Sequence, residues 1–564
     1  MHPLTQNFLV RVGGRLRGVS SSNTTLLVGG RIHTPSSPDA TAMAVTDGTV
    51  VWVGQDAPGR ALHPDAEVVD LHGAFVAPAF VDAHVHATNT GLHLTGLDLT
   101  GVRDAAELLA AVREAVTSGE VVLAHGWDET TWTTPRLPSR AEIDEVAGDV
   151  PVYLSRVDVH SALVSSALLA LVPDVARAEG YSADGPLTRA AHHAVRKAAY
   201  GAITADQRER AQRAFLRAAA AAGIVSVHEC GGPDICGEDD LRALLRVAAE
   251  PGTVEVVPYW GALADTAALD LARELGLRGL GGDLFVDGAL GSHTAALTEP
   301  YTDLPHTVGA RYLDARAIAD HVVACTEAGL QAGFHVIGDA AVAEVVEAFA
   351  LAEKTVGQRA LAKAGHRLEH VEMITREQAT ALARWNVTAS MQPAFDALWG
   401  GPDGMYAARL GSERAATLNP FAALAAEGVP LAFGSDAPVT PLDPWASVRA
   451  AVHHRTSGSG ISARAAFNAH TRGGHRAAGV NDGVTGSLVP GAPAHYAVWE
   501  ADELVVATPD TRVQRWSTDP RSRVPGLPPL DPGVPLPRCL RTVRGGEIIY
   551  DAESGAPSAV STEA

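Results

Sequence analysis

Two histidines, His84 and His86, end the apolar run Ala77-Pro-Ala-Phe-Val-Asp-Ala-His-Val-His86. On a β-strand, an i, i+2 spacing sends both imidazoles to one face. Two convergent neutral imidazoles at the end of a buried strand supply half of a tetrahedral or five-coordinate divalent-metal site. Two unrelated strand histidines would look the same, so the reading depends on whether further ligands exist. Polar residues again follow apolar runs at His228, Asp283 with Asp287, His335, His370 and Asp436. His335 lies in Gly333-Phe-His-Val-Ile-Gly-Asp339, His370 in His366-Arg-Leu-Glu-His370, and Asp436 in Phe433-Gly-Ser-Asp-Ala-Pro438. Singly, each histidine reads as a hydrogen-bonded structural residue, and Asp436 as a helix cap or turn residue. Coincidence at successive strand ends is much harder to sustain. Jointly, these residues point to a metal site.

The elements that must position them alternate apolar strand runs with Ala-rich helices. The runs are Val121-Val-Leu-Ala, Val152-Tyr-Leu-Ser, Ile224-Val-Ser-Val-His, Val254-Glu-Val-Val-Pro-Tyr, Leu284-Phe-Val, Ala332-Gly-Phe-His, Arg367-Leu-Glu-His, Val387-Thr-Ala-Ser and Leu431-Ala-Phe-Gly. Helices are predicted over 205–222 and 340–354. Such alternation implies parallel strands with helical crossovers. In a (β/α)₈ barrel, the strand ends that carry these polar residues form the active-site face. Residues 101–220 hold more helix than one β/α unit needs, which predicts an insertion over the barrel mouth.

Short strands with tight turns are predicted at both chain ends. Thr25-Leu-Leu-Val-Gly-Gly, Ala42-Met-Ala-Val-Thr-Asp-Gly and Val50-Val-Trp-Val-Gly lie near the start, with Asp47-Gly48 as a hairpin signal. Gly486-Ser-Leu-Val-Pro-Gly, His495-Tyr-Ala-Val-Trp and the hairpin-like segment Arg541 to Tyr550 lie near the end. One small β-sandwich built from 1–77 and 480–564 is expected to flank an α/β barrel at 78–479. The Ser/Ala/Pro-rich tail after Asp551 is expected to fray.

Hydrophobic content of 46% and charged content of 19% over 564 residues fit a globular protein with a large core. Lys+Arg 44 against Asp+Glu 65 leaves a net charge of -21, a poor match to nucleic acid or anionic membrane. Cys230, Cys236, Cys325 and Cys539 are too scattered for a disulfide framework, which suits a reducing compartment. No apolar leader core and no run near the roughly 20 residues of a membrane span stand out. The expectation is a cytoplasmic protein with a small-molecule substrate. Its homo-oligomeric state stays open.

The motifs resemble the amidohydrolase superfamily, in the branch of N-substituted formamide deformylases and YtcJ-like hydrolases. They include Pro78-Ala-Phe-Val-Asp-Ala-His-Val-His86, Gly126-Trp-Asp128, Arg156-Val-Asp-Val-His160 and Asp287-Gly-Ala-Leu-Gly-Ser-His-Thr-Ala295. His335-Val-Ile-Gly-Asp339, Arg367-Leu-Glu-His370 and Gly434-Ser-Asp-Ala-Pro438 extend the likeness over nearly the whole chain. The resemblance implies a metal-dependent α/β TIM barrel with an accompanying β-sandwich. It makes His84 and His86 strand-1 ligands, His335 and His370 the ligands of strands 5 and 6, and Asp436 the strand-8 carboxylate. Asp436 then doubles as proton shuttle, with His370 beside it as a second catalytic residue.

Zinc is the expected metal, another divalent ion remaining open. Such an ion lowers the pKa of water from about 15.7 toward roughly 7. Asp436 can take the proton and pass it to a leaving amine, while the metal or a neighbouring histidine holds the developing charge on a carbonyl oxygen. Hydrolysis of a non-peptide C–N bond is the implied reaction. Hydrolysis of an ester or lactone, or binding without turnover on a degenerate barrel, are the alternatives.

One position departs from the branch. Where it usually has a lysine that bridges two metals when carboxylated, this chain has Asp283. Alternation puts Asp283, Phe285 and Asp287 on one strand face, so Asp283 points into the barrel. Its shorter side chain leaves two expectations, one firmly held ion with Asp283 orienting a ligand histidine, or a second ion if the carboxylate reaches. Trp127, Arg156, His160, Asp287 and His293 match the branch as substrate-binding positions. Lid packing for Trp127, ion pairing for Arg156 and His160, and a surface loop for His293 are the competing readings.

Overall fold

The computed structural model describes residues 23–157, 161–233, 235–507, 516–517 and 524–553. Eight strands form one sheet in sequential order: β1 (Phe80–Val85), β2 (Ile224–Gly231), β3 (Glu255–Trp260), β4 (Gly279–Leu280), β5 (Gln331–Val336), β6 (Arg367–His370), β7 (Thr388–Met391) and β8 (Leu431–Phe433). All neighbours are parallel. The ring closes just past β8, where Val85 bridges Ala437 and the backbone N–H groups of Asp436 and His86 donate to His84 and Ala437 carbonyls at 2.8 and 2.9 Å. The strands are buried over almost their whole length, and apart from β6 (Arg-Leu-Glu-His) they read as largely apolar runs.

Helices outside the ring are amphipathic. Asp339–Val356 buries Ala341, Val342, Val345, Ala348, Phe349 and Ala352, an i, i+3, i+4 stripe against β5 and its neighbours. Ala205–Ala221 starts at Thr204, whose hydroxyl accepts from Gln207 N–H, and buries Phe215, Leu216, Ala219 and Ala220 in the barrel core. It is therefore the crossover helix into β2 rather than part of the insertion. It also lies backbone to backbone against the helix Ala87–Thr95. A Cβ placed on Gly91 would sit 1.9 Å from the Ala211 carbonyl oxygen. We expect Gly91→Ala to destabilise the protein by about 1–3 kcal/mol, read as a lowered thermal midpoint. An unchanged midpoint would mean that the two helices separate freely.

The insertion between β1 and β2 has its own sheet. In order, this runs Leu187–Thr188, Ser161–Val164, Val152–Arg156, Val122–Trp127 and Leu97–Asp98. The runs at Val121 and Val152, read from sequence as barrel units, belong here. They pair in parallel with helices between them, so their local pattern equals that of a barrel repeat. The sheet begins at Leu97, a little before the expected boundary.

Two further sheets lie beside the barrel, one built from N-terminal strands alone and one from strands of both chain ends. One runs Thr49–Gly54, Ala42–Thr46, Thr24–Val28, Glu67–Asp70. The other runs Arg31–Ile32, Phe75–Pro78, Tyr496–Glu500, Arg538–Arg544, Glu547–Asp551. Their shared core holds Leu27, Met43, Val45, Val76, Leu488, Tyr496 and Val543. Asp47 and Gly48 take φ of 48° and 75°, as a tight primed turn requires. The segment from Gly486, expected as a strand, is a chain of turns that buries Leu488 and is tied to the first hairpin through Gly491 N–H and the Val50 carbonyl. The tail expected to fray lies from residue 554 onward, outside the described residues.

The four cysteines are unpaired. No helix among the described residues is long and apolar enough to cross a membrane.

Candidate metal centre and active site

The strand-end residues converge at the C-terminal mouth of the barrel. His84 Nε2 lies 3.4 Å from Asp283 Oδ1 and 3.5 Å from Asp436 Oδ1. His86 Nε2 lies 3.1 Å from Asp283 Oδ2 and 3.2 Å from Asp436 Oδ1. Asp283 Oδ1 is also 3.5 Å from His335 Nδ1 and 3.8 Å from His370 Nε2. Asp283 therefore stands between a β1 pair and a β5–β6 pair. The short carboxylate reaches all four histidines.

The atoms that face one another are otherwise unsatisfied. His84 Nε2, His335 Nδ1, His370 Nε2, Asp283 Oδ1 and Asp436 Oδ1 are buried with no hydrogen-bond partner. Leaving such an atom unpaired costs about 1–3 kcal/mol, so five at one point call for a common partner. Three overlapping sets (His84, His370, Asp436; His84, His86, Asp283; Asp283, His335, His370) each keep their ligand atoms within 4.8 Å of one another. Imidazole and carboxylate donors at that spacing fit a divalent cation.

The other ring nitrogens show how the ligands are aimed. His84 Nδ1 is 2.9 Å from Glu369 Oε2, His335 Nε2 is 3.1 Å from the Gly288 carbonyl, and His370 Nδ1 is 2.7 Å from Gln392 Oε1. Each acceptor fixes a proton on the outer nitrogen and leaves the inner one free to coordinate. Phe395 stacks on His370 at 5.8 Å and 11°, and Phe285 tilts against His335 at 4.6 Å.

Backbone strain helps the aim. Arg367 and Glu369 alternate onto the inner face of β6, so a regular strand would turn His370 outward. His370 and Val371 instead take φ of 68° and 48°, which brings two successive side chains to the interior. Asp436 also has a positive φ, 56°. Such conformations cost of order 1–3 kcal/mol each and hold only where the surroundings enforce them. Here Val371 N–H donates to the Val336 carbonyl at 2.9 Å, and Asp82 accepts from Ser435 N–H at 2.8 Å.

Charges within the cluster lean on one another. Burial opposes protonation of His84 and His86, yet Cys230, Asp283 and Asp436 around His84, and Asp283 and Asp436 around His86, outweigh it and hold both imidazoles well above their usual range. Burial would raise Asp283, but the histidines around it hold it well below the usual carboxylate range. Glu369 is driven down too, because Arg367 and His84 overcome its burial. Burial raises Asp82 to about 6 and Glu229 to about 7. A divalent ion satisfies the same donors by displacing their protons.

The remaining expected site residues lie elsewhere. Trp127 is wholly buried in the core of the insertion, its indole N–H donating to the Leu154 carbonyl at 2.8 Å, so it is packing rather than pocket wall. Arg156 pairs with Asp128 at 3.1 Å and Glu129 at 2.9 Å beside it. Asp287 is also fully buried. It accepts backbone N–H bonds from Ala296, Ile337 and Gly338, which makes it a brace between the β4 and β5 loops instead of a substrate contact. His293 Nε2 faces Asp303 at 3.0 Å on a loop that Arg409 clamps. His160 lies outside the described residues.

His228 is not in the ring. Its Nδ1 accepts from Arg367 Nη1 at 2.9 Å, one layer below. Sequence reasoning assigned no role to Glu369 or Gln392. Gln392 follows the apolar run of β7 and met the same strand-end criterion as the others.

The amidohydrolase family pattern matches residues 67–550. The chain is 29% identical over 514 residues to LONG AFTER FAR-RED 3 of Arabidopsis thaliana, covering 84% of this chain and 86% of that one. It is 27% identical to the putative amidohydrolase YtcJ of Bacillus subtilis, over 70% of this chain and 76% of the relative. To the N-substituted formamide deformylase of Arthrobacter pascens it is 23% identical, over 84% and 92%. Among solved structures, an uncharacterized metal-dependent hydrolase of Pyrococcus furiosus superposes with a TM-score of 0.72 at 27% identity, over 85% of this chain and 99% of that one. With the family pattern running from Glu67 in the terminal sheets to Tyr550, and so across sheets and barrel alike, the chain belongs to the amidohydrolase family.

Proposed function

We propose that this chain is a divalent-metal-dependent hydrolase of a carbon–nitrogen bond, other than a peptide bond, in a small molecule. The observation that carries the reading is the meeting of five unpartnered donor atoms at the barrel mouth, where barrel enzymes place their chemistry. His84, His86, His335, His370 and Asp436 would hold the metal. Asp283 would join them, and its place between both histidine pairs favours two ions over the single ion expected from its length. Zinc suits the mixture of imidazole and carboxylate.

A bound ion supplies Lewis acidity, which lowers the pKa of water and polarises a carbonyl. The chain's own residues do the rest. Asp436 Oδ1 faces the reacting space, takes a proton from the attacking water and returns it to the leaving nitrogen, which would otherwise depart as a strongly basic anion. His86 Nε2 faces that oxygen across 3.2 Å. Phe285 and Phe395 pack against His335 and His370 on the β5–β6 side of the site and hold those rings in place.

The Arthrobacter pascens relative is named for deformylating N-substituted formamides, which is hydrolysis of the same bond class. A net charge of -21 disfavours nucleic acid as substrate, and four free cysteines suit the cytoplasm.

Asp283→Ala is expected to lower the metal content from two ions per chain to one or fewer, and turnover with it. Elemental analysis of the purified protein and assays on formamides, amides and esters check both. An unaltered metal count would remove Asp283 from ligation. Parent protein that holds no divalent metal, and gains no activity when Zn²⁺ is added, would sink the whole reading.

A further inference from the structure

Beneath the ligand ring, the barrel interior carries a second buried constellation. Arg367 and Glu369 are both fully buried, two residues apart on the inner face of β6. Arg367 Nη2 donates to Glu369 Oε2 at 2.7 Å, and its Nε donates to Oε1, forming a two-pronged ion pair. The second N–H of Nη2 is shared between the Ala83 carbonyl at 2.6 Å and Ser390 Oγ at 2.9 Å, and Nη1 donates to His228 Nδ1 at 2.9 Å. Its plane lies over the Tyr259 ring at 4.5 Å. Arg367 is thereby tied to β1, β2, β3 and β7, and cannot rotate without breaking contacts on four strands. What it holds still is the Glu369 carboxylate, whose Oε2 meets His84 Nδ1.

The three histidines whose outer nitrogens are hydrogen-bonded are not treated alike. His335 donates to a peptide carbonyl and His370 to an amide oxygen. His84 alone among them donates to a carboxylate. A charged acceptor fixes the tautomer more strongly and makes the opposite nitrogen a better donor.

We infer that Glu369, locked by Arg367, is a positioning residue that fixes His84 with Nε2 toward the metal and makes it the firmest of these three imidazole ligands. β6 then does two jobs in four residues. It supplies His370 to the site, and through Glu369 it sets a ligand on the opposite side of the ring. This inference rests on the metal site proposed above, and its test does not depend on finding a substrate.

The full-length protein would be loaded with Co²⁺, and two quantities read: its visible absorption bands and the rate of metal release to excess chelator. Glu369→Gln keeps the shape and a neutral acceptor. The double variant Arg367→Met with Glu369→Gln also removes the buried cation that would otherwise lose its counter-ion, so a folded protein is available if the single variant does not fold. We expect metal release about 10–100-fold faster, with shifted absorption bands that a purely structural lesion would not produce. Release within twofold of the parent, with unchanged bands in a folded variant, overturns the positioning role while leaving the metal site standing. Parent protein that takes up no Co²⁺ overturns both.

Discussion

Asp436→Asn is expected to lower kcat by about 10²–10⁴-fold while leaving most of the metal in place. The substitution keeps the shape of the side chain and removes its ability to accept a proton. The backbone around it is pinned, since its own N–H donates to the His84 carbonyl at 2.8 Å and the N–H of Val439 donates back to the Asp436 carbonyl at 2.8 Å. The amide should therefore occupy the place of the carboxylate. The four imidazoles and Asp283 remain as donors, so metal retention is the second half of the prediction. Parallel measurement of kcat and of bound metal decides it. A variant that keeps a tenth of the parent rate would take Asp436 out of proton transfer. One that loses the metal would make it chiefly a ligand.

Arg367→Met is expected to cost about 3–5 kcal/mol of stability, a loss large enough to unfold many domains outright. The reason is what remains behind. Glu369 is fully buried, and without the guanidinium its charge keeps only His84 as a partner. The Ala83 carbonyl, Ser390 Oγ and His228 Nδ1 lose a donor at the same time. Removing both charges together should be milder, because a buried ion pair often breaks even against apolar residues of similar size. The double variant Arg367→Met with Glu369→Leu should therefore recover part of the loss. Urea or thermal unfolding of the two variants tests this. A single variant within about 1 kcal/mol of the parent would mean that water or a shifted side chain replaces the guanidinium.

The barrel and its terminal sheets were legible because their signals are local. Asp47-Gly48 announced a hairpin through the positive φ that both residues take. The strand runs at Val121 and Val152 misled for the same reason that the others succeeded. A parallel strand flanked by helices looks alike whether its neighbours close a barrel or form a separate sheet, and only long-range pairing separates the two.

At the site, Asp283 does face inward as expected, though not by strand alternation, since β4 ends at Leu280 and Gly282 takes a φ of 78° just before it. Alternation could not show that the carboxylate would meet both histidine pairs, because that depends on how closely four strands pack. Glu369 escaped notice because regular alternation sends it and His370 to opposite faces. The left-handed backbone at His370 and Val371 breaks that rule, and a β-branched valine is the last residue to suggest such a conformation. Trp127 and Asp287 matched a pattern without its substrate role, since their polar atoms are spent on backbone groups within the fold.

The terminal sheet sets a schedule for the newborn chain. Phe75–Pro78 pairs with Tyr496–Glu500, which leaves the ribosome roughly 420 residues later. At about 5–20 residues per second, that is a wait of roughly 20 to 80 seconds. Throughout it, Phe75 and Val76 border an open strand edge beside a barrel still being made. Only when Tyr496–Glu500 arrives does that edge find its partner, so a strand made late acts as a latch on one made early. Loss of that segment by truncation or early termination would leave the opening strands as an adhesive surface, and aggregation rather than weak catalysis would be the first symptom.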